Sequence, residues 1–514
     1  MSPPEGKGII QFLRETIMMN KNNYDIVLFQ PLPFGGLYQY RVTQLPLGLL
    51  CCATALEHAG YRVTIIDQSV EPHWKQKLFS ALADKPLCFG VTCMTGPQIR
   101  YALSVCKIVK DKYPHMPIIW GGVHASLIPE QTLENSVVDI VVVGEGEDTL
   151  PELVEAIKTK SPLKEVKGIA FHQDGQYVFT GLRPFVDLDA QPPLALHLVD
   201  INRYREHMLG IDHVQVHCSR GCTFECAFCW DPIFYKKQFR KMNPSIVLEI
   251  IHHIVREYGI RGFLFNDDNF FLDLVWAHSV LEGIVRSDLD LSLGKFFIRA
   301  DRLCKMDNDF LKLLVRAGVK RLVMGVESGS QRINDLLKKR ITLDQVIEAN
   351  RNLIPYPIRP AYMFMMGIPT ETPEEVAQSI HFAGRLIKEN PKATRTFNLY
   401  MPYPGTELFK IAVQHGLREP KALSEWGQFN YHKVFKESPW LLPETEKLVE
   451  VMNYALMCSK HDNAFGGFKR QDAGSILFTK LYSPLARYRV RNMDVRSPFE
   501  VKLIRAVRFC LGQD

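Results

Sequence analysis

The stretch VQVHCSRGCTFECAFCWDP, residues 214–232, places four cysteines, Cys218, Cys222, Cys226 and Cys229, within twelve positions beside Arg220, Glu225 and Trp230. Thiols at this density point to a metal or to redox chemistry, and their spacing narrows the choice. A zinc site usually takes two ligand pairs. Cys226 and Cys229 make one pair, and no second pair stands elsewhere in the chain. A two-cysteine redox motif leaves Cys222 without a role, and the C-x2-C-x2-C run of a bacterial ferredoxin is absent. What remains is Cys222-x3-Cys226-x2-Cys229, three thiols on one loop after a short apolar run. Cys218 falls at the end of that run and reads as a buried small hydrophobe.

From residue 214 the chain repeats one pattern. The runs HVQVHCS, GFLFNDD, GKFFIRAD, RLVMGVESGS, PAYMFMMGIP and TFNLYMPYPGT are separated by segments of helical length. Six such strands predict a partial or full α/β barrel over residues 214–414. Upstream, residues 24–155 show a second series: DIVLFQP, YRVTIID, LCFGVTCMT, MPIIWGG and VDIVVVGEGE. Apolar strands buried on both faces and joined by helices predict a doubly wound parallel, Rossmann-like sheet. In such sheets a ligand lies beyond the carboxyl ends of the strands. That rule lines up Gln30, Thr92–Gln98, Gly121–His124 and Gly144–Glu147 along one crevice. Residues 1–23 read as an N-terminal extension, 156–213 as a linker with a small strand pair, and 415–514 as a mainly helical region.

Three thiolates on a [4Fe–4S] cluster leave one iron without a protein ligand, whereas an electron carrier is normally closed by four. The C-x3-C-x2-C loop opening an α/β barrel resembles the radical S-adenosylmethionine (SAM) superfamily, in which SAM chelates that open iron. The resemblance makes Cys222, Cys226 and Cys229 the metal ligands and the catalytic centre, with Phe228 beside the adenine. It places Asp267 and Asp268 at the SAM amino group, Arg299 and Asp301 near its carboxylate and ribose, and Glu327 and Ser328 as ribose or methionine contacts. The first series, with GVTCMTGPQ, WGGVHASLIPE and VVVGEGEDTLPEL, resembles the cobalamin-binding domain of one large radical SAM subclass. There Gly121, Gly122, Gly144 and Gly146 would let the backbone approach the corrin, with Thr92, Thr95 and Glu145 as hydrogen-bonding partners. The D-x-H-x-x-G segment that supplies a lower cobalt ligand in many cobalamin proteins is absent, and His124 is the one alternative.

What this implies is a cobalamin-dependent radical SAM methyltransferase acting on an unactivated carbon of a small natural product or lipid-like compound. A 5′-deoxyadenosyl radical would remove hydrogen and methylcobalamin would deliver the methyl group. The same layout serves an oxidative cyclase of the anaerobic magnesium-protoporphyrin type. The third reading is a non-catalytic cobalamin or iron–sulfur sensor. An external one-electron reductant of flavodoxin or ferredoxin type is expected as partner.

The net charge of +6 lies in the tail. From Lys469 to Asp514 ten Lys/Arg face four acids, so the rest of the chain is neutral and gives no sign of nucleic-acid binding. In the last segment Lys502, Arg505 and Arg508 fall on one helical face beside an apolar stripe, a pattern for peripheral membrane contact. The N-terminus lacks a continuous apolar core for a signal peptide, and no run of 18 apolar residues occurs. A cytoplasmic location follows, in which twelve cysteines read as reduced thiols or metal ligands.

Overall fold

The computed structural model describes residues 24–33, 44–208, 210–429 and 438–441, parts of 443–452, the helix Ala473–Asn492, and Phe499. The basic stripe of Lys502, Arg505 and Arg508 and the N-terminal extension lie outside the described residues.

The first sheet contains β1 (Ile26–Gln30), β2 (Val63–Asp67), β3 (Cys88–Thr92), β4 (Ile118–Gly121), β5 (Ile140–Val142), β6 (Ile169–Gln173) and β7 (Gln176–Phe179) in the order β2-β1-β3-β4-β5-β6-β7. The first five are parallel. Alternation along β1 explains the two-sided burial. Ile26 and Leu28 pack in one apolar core with Leu50, Leu56 and Leu153, whereas Val27 and Phe29 pack in the other with Ile99, Val105 and Val109. A strand covered on both faces has no polar side, so its sequence runs continuously apolar. The order reverses between β1 and β3, which opens a crevice at the carboxyl ends there. The strand pair expected within residues 156–213 is β6 and β7, which extend this sheet antiparallel.

The second sheet holds β8 (Glu206–Met208), β9 (Ile211–Val216), β12 (Gly262–Phe265), β13 (Ser292–Ile298), β14 (Arg321–Glu327), β15 (Arg359–Met366) and β16 (Thr394–Leu399). A two-stranded ladder, β10 (Ser219–Arg220) with β11 (Arg240–Lys241), interrupts it in sequence. The order is β16-β15-β14-β13-β12-β9-β8, with six parallel strands and β8 antiparallel at the edge. This is an open half-barrel. Its outer face is covered by helices such as Pro244–Tyr258 and Leu274–Arg286, whose Val247, Ile251, Ile254 and Val280 meet Val214, Val216 and Phe263.

The two sheets share their cores. The apolar cluster on the far side of the first sheet also includes Ala227 of the cysteine loop, Ile333, Leu337, Phe409 and Trp426. Trp426 is 1% exposed, and its indole Nε1 donates to Gln131 Oε1 at 2.6 Å. Its ring meets His124 edge-on at 5.5 Å. Trp426 and Phe429 therefore pack the chain's C-terminal part onto the first sheet, and Trp440 donates to the Gly367 carbonyl at 2.9 Å. No described helix is long and apolar enough to cross a membrane.

His124 is fully buried, so burial holds its pKa down at about 3. In the unfolded chain the imidazole titrates near 6.5. The unfolded state therefore takes up a proton that the native state refuses, and stability falls as pH drops below roughly 6.5, by about 1.4 kcal/mol per unit. Denaturation curves from about pH 7 to about pH 5 contain this contribution beside those of the other buried titrating groups, so the comparison with a His124 variant isolates it. His124→Gln should flatten the slope by about this amount.

Candidate active site

The cysteine loop leaves β9 and is fixed by carboxylates from the end of β12. Asp267 Oδ1 accepts from the backbone N–H of Cys218 at 2.9 Å, the N–H of Ser219 at 2.5 Å and the Ser219 hydroxyl at 2.6 Å. Asp268 Oδ2 accepts from the Gly221 N–H at 2.9 Å. Three of the four residues before Cys222 are thus held by two acids 47 or more positions away. Asp267 is 2% exposed, burial raises its pKa to about 7, and its Oδ2 has no described partner. Burial also raises Asp231 and Asp268, with the Asp268 charge adding to the effect on Asp231.

Cys222, Cys226 and Cys229 are each half-buried and free, whereas Cys218 is 1% exposed in the apolar core. The Asn269 amide donates to Cys222 Sγ at 3.7 Å. Burial pushes the Cys222 and Cys229 thiols upward. Among the described residues no three side chains converge as a single metal ion requires; a multinuclear cluster instead spreads its thiolates over separate irons. The orphaned Asp267 oxygen and three accessible thiols on one braced loop fit such a cluster with a ligand beside it.

Next to the loop lies a buried ion pair. Lys339 Nζ contacts Glu327 Oε1 at 2.7 Å and stands 5.8 Å from the Phe228 ring centre. Both ions are about nine-tenths buried, and the Cys226 charge, after Glu327, favours the lysine's protonated form. Glu327 adopts φ +63°, at a register shift in β14. Arg299 stacks over Phe224 at 3.5 Å, donates to the Lys339 carbonyl at 2.6 Å, and pairs with Asp301 at 2.9 Å. Phe228, Arg299, Asp301 and Glu327 therefore converge around the loop. Ser328 does not join them. It is fully buried, and its hydroxyl meets Ser379 and the Ser330 N–H.

The first sheet brings its crevice to the same loop. Arg220, two residues before Cys222, pairs with Glu145 at 2.9 Å and Glu147 at 2.6 Å, and Arg240 pairs with Glu145 at 2.6 Å. Burial alone would raise Glu145, yet the Arg240 and Arg220 guanidiniums hold it below the ordinary carboxylate value. Its oxygens also accept from the Val186 N–H, so Glu145 serves the junction. His124 Nδ1 meets Thr95 Oγ1 at 2.9 Å, while Nε2 has no described partner. Thr92 is half-buried at the end of β3.

The glycines of the crevice divide into two kinds. A Cβ on Gly121 or Gly144 would meet nothing within 4 Å, so the space before both is open to a large flat ligand. A Cβ on Gly122, at φ +89°, would strike Thr92 Oγ1 at 2.6 Å, and one on Gly146 would strike Cys52 Sγ at 2.7 Å. Gly121 and Gly144 thus fit a corrin approaching the backbone, and Gly122 and Gly146 are packing positions.

An open half-barrel with a three-thiol loop, joined to a doubly wound sheet with an open crevice, defines a two-cofactor radical enzyme. Residues 39–154 match the B12 binding domain and residues 216–383 the radical SAM superfamily. An uncharacterised methyltransferase of Pyrococcus horikoshii is 30% identical over 379 residues, covering 72% of this chain and 79% of the relative. The anaerobic magnesium-protoporphyrin IX monomethyl ester cyclase of Cereibacter sphaeroides is 26% identical, covering 78% and 64%. Among solved structures, the methyltransferase TsrM of Kitasatospora setae superposes with TM-score 0.66 at 18% identity, covering 90% of this chain and 99% of that one. The cobalamin-dependent radical enzyme OxsB superposes with TM-score 0.69 at 17% identity, covering 95% and 75%. The chain belongs to the family of radical SAM enzymes that carry a B12-binding domain, and its cofactors are a [4Fe–4S] cluster, SAM and cobalamin.

Reconstituted protein is expected to hold roughly four irons. Cys222→Ala, Cys226→Ala or Cys229→Ala should each abolish that content, and Cys218→Ala should keep it, as read by iron and sulfide analysis. Gly121→Val should keep the fold and lose cobalamin absorbance, because its side chain enters open space. Gly122→Ala should instead lower stability by about 1–3 kcal/mol through its backbone strain and clash.

Proposed function

We propose that this enzyme transfers a methyl group to an unactivated carbon of a small substrate held in the half-barrel. When bound, the iron–sulfur cluster with SAM supplies radical chemistry and cobalamin supplies a methyl carrier. The observation that carries the reading is the buried Glu145–Arg220 contact, which fixes the crevice of the first sheet against the cysteine loop. A methyl carrier and a radical source are useful together only if one substrate can meet both. Lys339, paired with Glu327, stands beside Phe228, and Arg299, paired with Asp301, lies over Phe224; these two ion pairs offer donors to the carboxylate of SAM, and Asp267 Oδ2 remains free to accept from its amino group.

Exposed Lys237 and Arg340 pair with Glu225 of the cysteine loop, and exposed Lys236 and Lys338 are their neighbours in sequence, Lys338 pairing with Glu407. They suit an acidic one-electron carrier of flavodoxin or ferredoxin type, whose approach would be steered by charge. The cyclase of Cereibacter sphaeroides, matched over 78% of this chain, supports an oxidative reading of the same architecture.

Anaerobic turnover with isotopically methyl-labelled SAM separates the two readings. Mass spectrometry of candidate metabolites is expected to show a labelled methyl group in the product together with 5′-deoxyadenosine. Product without label, alongside 5′-deoxyadenosine, would establish the cyclase type of reaction.

A further inference from the structure

The outer face of the half-barrel is apolar, and the inner face is not. Along β9, Val214 and Val216 pack outward, so the alternating Gln215 faces inward. Gln215 is 4% exposed, and neither its Nε2 nor its Oε1 has a partner among the described residues. In register, Gln215 pairs with Leu264 and Leu264 with Lys295, which sets the amide and the ammonium on one row across β9, β12 and β13. Lys295 is 7% exposed and no described hydrogen bond or ion pair engages its ammonium, which lies 5.5 Å from the Phe297 ring centre. Burial lowers its pKa; the Glu206 charge opposes that, and the Arg321 charge adds to it.

Beside these groups, Phe297 and Met363 pack with Val323 and Ala361 in a small apolar cluster separate from the two main cores. Both are half-buried. A folded chain seldom leaves a complete buried amide unmet, because it forfeits its hydration without a replacement, and seldom sets a largely buried ammonium beside it without a counter-ion. Where it does, a ligand that completes them is the physical explanation, and the location inside a half-barrel suits one.

We propose that this inner face binds the substrate's head group, an anion of carboxylate or phosphate type carried on an apolar body. Lys295 is its counter-ion, Gln215 donates a hydrogen bond to it, and Phe297 and Met363 flank the apolar part. The assignment rests on the reading of this chain as a radical enzyme that takes its substrate into the barrel.

The test uses the full-length reconstituted protein with three probes of similar shape: 3-phenylpropanoate, phenylphosphate and the neutral 3-phenylpropanol. Calorimetric titration is expected to show at least one anion binding about tenfold or more tightly than the alcohol. Lys295→Met should erase that preference, and Gln215→Leu should weaken the preferred anion. Without probe, both variants should keep or raise the thermal midpoint, since each removes an unmet buried polar group. Equal affinity for acids and alcohol, no binding of any probe, or a preference that survives Lys295→Met would overturn the site. So would a fall in thermal midpoint in both variants, which would make the two groups structural. Iron, cobalamin and SAM cleavage measured on the same preparation keep the parent reading separate. Intact cofactor binding and SAM cleavage without anion preference sinks this site alone, whereas anion preference without SAM cleavage sinks the parent reading.

Discussion

Two glutamates from the end of β5 hold two arginines of the cysteine loop's ladder, and the functional geometry depends on that contact. Arg220 and Arg240 stand directly opposite each other in the β10–β11 pair, an arrangement that is repulsive by itself. Glu145 lies between them, and Glu147 takes the second end of Arg220. All four side chains are at least four-fifths buried. Removing one partner of such a buried set typically costs about 3–5 kcal/mol, because the remaining charge stays buried and unpaired. The same electrostatics that closes the ladder therefore sets the crevice of the first sheet beside the loop that carries Cys222, Cys226 and Cys229.

A second theme is the double use of strand-end carboxylates. Asp267 and Asp268 shape the loop by accepting from the backbone of Cys218, Ser219 and Gly221, and Asp267 still retains one unpartnered oxygen. Glu327 balances Lys339 while standing at a left-handed backbone position. Such residues are rigid because structure needs them, and that rigidity keeps a cofactor contact in place without further ordering. Gly121 and Gly122 show the same division on the other sheet, where adjacent residues of one type serve ligand access and packing respectively.

Much of this was legible in the chain. The cysteine spacing spans eight residues, from 222 to 229, so a single loop contains its information. The parallel strands were legible because burial on both faces writes an unbroken apolar run. Lys339 was not legible. It is the middle member of the run Lys338-Lys339-Arg340, and three adjacent cations read as a solvated turn. In the fold Lys338 and Arg340 are exposed and Lys339 alone turns inward. Glu145 and Ser328 read as cofactor contacts from their motifs, but their hydrogen-bonding capacity is used by Arg220, Arg240 and Ser379.

The sequence by itself determined the three-cysteine spacing, the order of strands and helices, and the presence of a crevice at strand ends, because each depends on residues close together in the chain. Only the tertiary structure decided which charges neutralise one another and which remain unmet. Glu145 and Arg220 are 75 positions apart, Asp267 and Cys218 are 49, and Gln215 reaches the row of Lys295 only through β12. Whether a polar side chain is satisfied depends on its neighbours in space, and local pattern carries no record of partners that arrive from distant strands.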